Sequence, residues 1–411
     1  MTRRGRKRGR GLVGSAALVL LGALISGLAG ACTPAGGPIF AHPTEPRRSL
    51  APATEPPVVV LDPQPIELPR DDGPHDRLTE WWYYTGHLRT DDGRRLGFEY
   101  VIFRAERGAF PTTWASHLAI TDEAGDAFRY AQRLGVGGEV DRSPRGVTGE
   151  LVGFDLSLSG IDPRDPATFD RPAWTMAGSN GADELSAYLS LEEAEAAGVR
   201  NGLGLDLALA SRKAPVLHDR DGWIDFGPAG GSYYYSRTAM DATGTVLLDG
   251  ETLTVTGDAW FDHQWGDFIS VGGGGWDWFA VNLDDGTDLT ISLVRDADGS
   301  YPLVYGTLVD AAGAARHLEA EAFTVEVTDR WVSPATGADY PAGWTISLPD
   351  DDLVIELSPT VAAQELDTRA TTGVVYWEGS QIVRATRAGT PVGGQAYVEL
   401  TGYAPSELAE R

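Results

Sequence analysis

Hydrophobic residues recur at every second position through most of the chain, and that period constrains the fold more than any other feature. Leu205, Leu207 and Leu209 alternate with Asp206, Ala208 and Ala210. Leu289, Ile291 and Leu293 alternate with Thr290 and Ser292. The same rule holds for Phe323, Val325 and Val327, for Leu353, Ile355 and Leu357, and for Ala396, Val398 and Leu400 against Tyr397, Glu399 and Thr401. A period of two is the signature of half-buried strands. Asp92-Gly93, Asp249-Gly250, Asp285-Gly286 and Asp298-Gly299 supply hairpin turns between such runs. Helical signals are scarce. The best is Ser190-Leu191-Glu192-Glu193, a capping-box pattern closed by Gly198. With 51 glycines in 411 residues, many short strands and few helices predict an all-β chain of antiparallel barrels or sandwiches. A closed barrel of about eight strands can hold one small ligand.

The N-terminus is built differently. Residues 1–10 carry six basic residues and no acidic one, and residues 11–31 carry no charge. That layout predicts a signal segment over 1–31. It ends in Leu28-Ala29-Gly30-Ala31-Cys32, which resembles a lipobox. Cys32 is then the lipidation site of a membrane-anchored lipoprotein on the extracytoplasmic side. An ordinary cleaved signal (a secreted protein) or an uncleaved spanning anchor are the alternatives. Because Cys32 is the only cysteine, no intrachain disulfide can form and the core alone holds the fold.

Residues 32–75 read as a Pro-rich linker that stays extended and solvated. The folded part is expected from residue 76, in two domains at 76–270 and 271–404, with a tail at 405–411. The Gly272–Gly275 run marks the boundary, because four glycines make a poor strand interior. Without residues 1–31, 27 Lys+Arg face 59 Asp+Glu, a net charge of −32. Such a chain has no electrostatic route to nucleic acid or anionic lipid. The seven histidines are scattered, with no H-x-x-x-H or H-x-x-E-H set. No Gly-x-Ser-x-Gly elbow and no phosphate-binding Gly-rich loop ending in Lys-Ser/Thr is present. Zinc protease, serine hydrolase and nucleotidase chemistries therefore lack their parts, and no metal or cofactor is expected.

Four segments stand apart from generic strand sequence. They are Glu80–Leu88, Tyr233–Thr238, Gly257–Asp267 followed by Gly275–Phe279, and Tyr376–Gly379 followed by Gly394–Tyr403. Together, in this order, they resemble the AttH and carotenoid 1,2-hydratase family. The resemblance spans about residues 76–404 and implies two lipocalin-like barrels in tandem. Many members carry Glu where this chain has Gln264. The signal and Cys32 look more like the secreted AttH branch than like the pigment-pathway hydratases. That branch implies an accessory of an ABC-type export system.

The resemblance implies a site at His263 and Trp265, with Asp277 downstream. A hydratase needs an acid to protonate an alkene and a surface that stabilises the tertiary cation. A buried carboxylic acid and aromatic faces supply these. Asp262, His263, Trp265, Asp267, Trp276, Asp277 and Trp278 offer both within one short stretch. Asp262, His263, Trp265 and Asp277 are the candidate catalytic residues. Trp276, Trp278, Tyr234, Tyr235, Arg104 and His117 are candidate ligand contacts. His263, Trp265 and Asp277 are expected together at an apolar cavity where the barrels meet. The plainer reading is that Asp262 and His263 form a buried hydrogen-bonded pair at that junction, and that the tryptophans plug a barrel floor. Three functions follow: an apolar-ligand binder for an isoprenoid or acyl molecule, a hydratase acting on such a ligand, or an export accessory.

Overall fold

The computed structural model describes residues 62–160, 168, 171–268 and 273–404. Cys32, the signal segment, most of the Pro-rich stretch and the 405–411 tail lie outside the described residues. Within them the protein is nearly all β, as two tandem lipocalin-like antiparallel sheets.

The first sheet runs Ala127–Val136, Thr113–Asp122, Arg95–Ala105, Thr79–Thr90, Glu251–Gly266, Gly231–Leu248, Leu203–Ser211, Ala182–Tyr188, Trp174–Ser179, Phe154–Leu158. It curls until its edge strands approach each other, giving a nearly closed barrel. Its interior holds Trp82, Trp114, Trp174, Tyr84, Phe98 and Phe261. Fully burying a residue such as Phe98 contributes about 1.5–3 kcal/mol. The Leu203–Ser211 strand shows why alternation specifies this barrel: Leu205, Leu207 and Leu209 are buried while Asp206, Ala208 and Ala210 are exposed.

The second sheet runs Ala315–Glu319, Leu303–Val309, Asp288–Asp296, Gly273–Leu283, Gly394–Thr401, Val375–Arg387, Leu353–Pro359, Asp339–Leu348, Thr324–Val332. It is a half-barrel around Phe279, Trp344, Trp377 and Tyr340. Its last strand departs from the half-buried expectation. Phe323 is buried, but Val327 and Val332 are exposed, because the open sheet leaves this edge uncovered.

The turn signals work as their chemistry requires. Gly93, Gly250, Gly286 and Gly299 all take positive φ. The Ser190 capping box forms and starts the α-helix Leu191–Ala196. Gly273–Gly275 open the first strand of the second sheet, where a side chain at Gly274 would collide with the Asp296 carbonyl.

Two features differ from expectation. The solvated tether does not reach residue 75, because residues 62–75 are packed on the first barrel. Asp72 is the anchor: its carboxylate accepts from Tyr235 Oη (2.5 Å), Arg237 (3.0 Å) and the Asn180 amide (2.8 Å). Second, several strands are buried on both faces over much of their length. Thr113–Asp122 is buried at every position. Their outward faces pack barrel against barrel through Tyr83, Val101, Trp260, Trp278, Ala280 and Tyr397. Among the described residues no helix is long and apolar enough to cross a membrane.

Candidate active site between the two barrels

Alternation along two strands builds the site. On Glu251–Gly266, Phe261 and Trp265 point into the first barrel, while Trp260, Asp262 and Gln264 point out. On Gly273–Leu283, Phe279 points into the second barrel, while Trp276 and Trp278 point back at the first. The outward sets line a cleft of about 100 Å³ that opens to solvent. Trp81, Tyr83, Phe103, Tyr234, Trp276 and Trp278 give it aromatic walls, and Asp262 and Glu399 are its only acidic lining residues among those described. Among the described residues no basic side chain lines it.

The two carboxyls have unequal surroundings. Burial raises Asp262, and three donors oppose it: Ser236 Oγ, Tyr234 Oη and Trp260 Nε1 (2.6 Å); the balance is about 6. Burial raises Glu399 to about 7, with Trp276 Nε1 (3.1 Å) as its opposing donor and the charge of Asp262 adding to the rise. Behind Asp262, His218 Nε2 lies 2.6 Å from Ser236 Oγ, its Nδ1 lies 3.0 Å from Thr307 Oγ1, and its ring packs 4.0 Å from that of Tyr234. This is not a nucleophile triad. Ser236 stands between the acid and the imidazole and gives its proton to Asp262, so His218 has no serine proton to accept.

The expected trio of His263, Trp265 and Asp277 does not assemble. His263 and Trp265 lie inside the first barrel, where the His263 ring packs 4.7 Å from Trp82 and 4.6 Å from Trp265. Asp277 faces the second barrel's interior, bonded to Tyr403 Oη (3.0 Å) and 3.4 Å from Arg295. The physical reason is the strand period: neighbours in sequence point to opposite faces. For the same reason Asp262 and His263 are not a pair. Tyr234 reaches the cleft and Tyr235 does not. Arg104 is bonded to Glu106 and the Arg77 carbonyl, on the first barrel's side. His117 does not face the first barrel's cavity; it lies between the barrels, 2.7 Å from Tyr376 Oη.

His263 belongs to a different cluster. Its Nε2 and His75 Nδ1 both bond Glu80 Oε1, at 3.0 and 2.7 Å. Burial opposes ionisation of Glu80, but the charge of His75 and the bonds from both histidines outweigh it and hold the carboxyl at about 2. The donor atoms lie within 4.8 Å of one another, a set of the type that takes a divalent cation. Linear spacing could not reveal it, since His75 and His263 are distant in sequence. Here both imidazoles already bond the carboxylate and Arg104 lies 3.9 Å from its other oxygen, so the cluster acts as a clamp on the 62–77 segment.

Glu399, Tyr83 and Trp81 were missed as site residues. All three sit in the four distinctive segments. By sequence Glu399 falls on the solvent side of the Ala396–Val398–Leu400 alternation, because a single strand does not reveal that a second barrel covers its outer face.

A sequence profile of the AttH-like family matches residues 59–403. No curated protein matches the sequence. Among solved structures, a candidate AttH from Nitrosomonas europaea is similar with 29% identity and a TM-score of 0.69, covering 84% of this chain and 99% of that one. Kievitone hydratase from Nectria haematococca shares the fold at 15% identity and a TM-score of 0.58, covering 82% and 93%. CghA with Sch210972 does so at 12% and 0.50, covering 79% and 89%. With the profile match spanning both barrels and the cleft between them, the chain belongs to the AttH-like family.

Proposed function

We propose that this protein binds an uncharged apolar molecule, isoprenoid or acyl, in the cleft between its barrels and adds water across a carbon–carbon double bond of it. The carrying observation is the pair of carboxyls in unequal environments within one aromatic cleft. Such pairs divide acid and base roles. Glu399 keeps its proton near neutral pH and gives it to the alkene. Trp276, Trp278 and Tyr83 present ring faces that stabilise the cation. Asp262, with three donors, keeps its charge nearby and takes the proton lost by the attacking water. Kievitone hydratase, a fold neighbour, supports hydration as a reaction this architecture can host. In this reading, of the four candidate catalytic residues Asp262 keeps a catalytic role, Glu399 joins it, and His263, Trp265 and Asp277 have none.

The test is incubation with isoprenoid alkenes, from geraniol to lycopene, in ¹⁸O-water. The expected result is an ¹⁸O-labelled alcohol, lost in Glu399→Gln and Asp262→Asn. Its rate should fall below a pH of about 6, where Asp262 protonates, and above about 7, where Glu399 ionises. Binding without label in any case would reduce the proposal to a carrier. We also propose that Cys32 is acylated and holds the barrels at a membrane surface. Wild type should partition into the detergent phase and Cys32→Ala into the aqueous phase; equal partitioning would contradict the anchor.

A further inference from the structure

The hydration chemistry uses two carboxyls, yet the barrel interface also buries Glu99 and Glu378. Glu99 comes from the first sheet and Glu378 from the second, and both are fully buried. No lysine or arginine bonds Glu99, Glu378 or Glu399 among the described residues. Isolated buried carboxylates are too costly to persist, so such groups hold protons. Burial raises Glu99 to about 8, and it raises Glu378 well above the carboxylate range, helped by the charges of Glu399 and Glu99.

Their arrangement is a row. Glu378 pairs directly with Glu399 across adjacent strands, which places the side chains about 5 Å apart at Cβ. Tyr83, a cleft residue, donates to Glu378 Oε1 at 2.8 Å. Glu378 Oε2 and Glu99 Oε2 are buried with no hydrogen-bond partner among the described residues, and the link of Glu378 to Glu99 and Glu399 is electrostatic. Glu99 Oε1 lies 3.0 Å from Tyr376 Oη, which lies 2.7 Å from His117 Nδ1. His117 Nε2 lies 3.0 Å from Thr371 Oγ1, which donates at 2.7 Å to Gln132, a partly exposed residue. Tyr376 Oη touches both Glu99 Oε1 and His117 Nδ1 and has one hydrogen. It donates to Glu99 when that carboxyl is ionised and to His117 Nδ1 when Glu99 holds a proton, so the chain can carry a proton by reversing its bonds.

We infer that Glu378 and Glu99, continued by Tyr376, His117 and Thr371, form a proton path that reloads the cleft acid Glu399 from the protein surface. Its purpose rests on the hydration reading; its test does not. In each cycle Glu399 gives one proton to carbon and the attacking water gives one to Asp262. Glu399 recovers a proton from Glu378, Glu378 from Glu99, and Glu99 through Tyr376, His117 and Thr371 from solvent. One proton enters for each one that Asp262 releases.

The experiment is infrared spectroscopy of the ligand-free protein at neutral pH during transfer into deuterium oxide. Wild type should show the carbonyl stretch of protonated carboxyls and a rapid deuterium shift of that band. Tyr376→Phe removes one hydroxyl and should slow the shift about tenfold or more, an added barrier of about 1.4 kcal/mol, while leaving band intensity and amide exchange unchanged. Glu378→Gln should remove part of the band and slow the remainder. Absence of a protonated-carboxyl band in wild type would overturn the inference, as would wild-type exchange rates in Tyr376→Phe and His117→Phe. A slowed Tyr376→Phe alongside a failed ¹⁸O assay would retain the path and reject the hydration chemistry.

Discussion

Asp262 and His263 are adjacent on one strand and belong to opposite kinds of environment. The interior of the first barrel pairs its charges: His263 and His75 meet Glu80, and Arg237 meets Asp72 at 3.0 Å. The face that meets the second barrel holds the Lys213–Asp288 pair at 2.7 Å, but the carboxyls in and behind its cleft have no basic partner among the described residues. Asp262, Glu399, Glu378 and Glu99 are buried there with hydroxyl and indole donors. Paired charges within a core fix geometry. Buried acids without counter-charge cost stability, and such groups concentrate where chemistry is performed.

The sharpest way to break this comparison is through stability. Asp72→Ala strands the Arg237 guanidinium, buried with 3% of its surface exposed. Removing one partner of a buried ion pair costs about 3–5 kcal/mol, measurable by urea denaturation. Asp262→Asn removes no counter-charge and should cost far less. Comparable losses in the two variants would erase the distinction between the faces. His263→Ala is intermediate, because it takes one donor from buried Glu80, at about 1–3 kcal/mol. The folded variant should bind ligand in the cleft as wild type does.

The pH dependence of stability sharpens the comparison further. Glu99 and Glu399 are raised in the folded state, to about 8 and about 7. Between the unfolded carboxylate range and these values the native state binds more protons than the unfolded one, so stability falls as pH rises. Glu80 is held at about 2, so its contribution is lost only on acidification below the unfolded carboxylate range. Glu99→Gln and Glu399→Gln should therefore flatten the decline measured by melting temperature between mildly acid and mildly alkaline buffer. An unchanged decline in both would place the titrating groups elsewhere.

Much of the fold was legible because alternation and turn chemistry are local. Leu205–Leu209, the Asp-Gly turns and the Ser190 capping box each carry their own instruction. The site was legible only in part. Asp262, Tyr234, Trp276 and Trp278 reach the cleft, whereas His263, Trp265 and Asp277, which the family resemblance and nearness in sequence put with them, do not. A strand sends neighbours to opposite faces, so compactness in sequence misleads there. Glu399 reads as the wet side of a half-buried strand, and nothing local marks Glu99 or Glu378 as buried. Their burial depends on the second barrel, which no single strand encodes. The His75–Glu80–His263 cluster likewise needs a chain segment that composition assigned to solvent.

The account's central claim is that the ligand lies between the barrels and not inside the first one. Fluorescence titration with retinol, an uncharged polyene, measures it directly. Val294 lines the cleft, and Val294→Trp should fill it and weaken retinol binding about tenfold or more, a loss of about 1.4 kcal/mol. Wild type and folded His263→Ala should bind alike. Unweakened binding by Val294→Trp, together with loss of binding in folded His263→Ala, would contradict the account and return the ligand to the barrel interior.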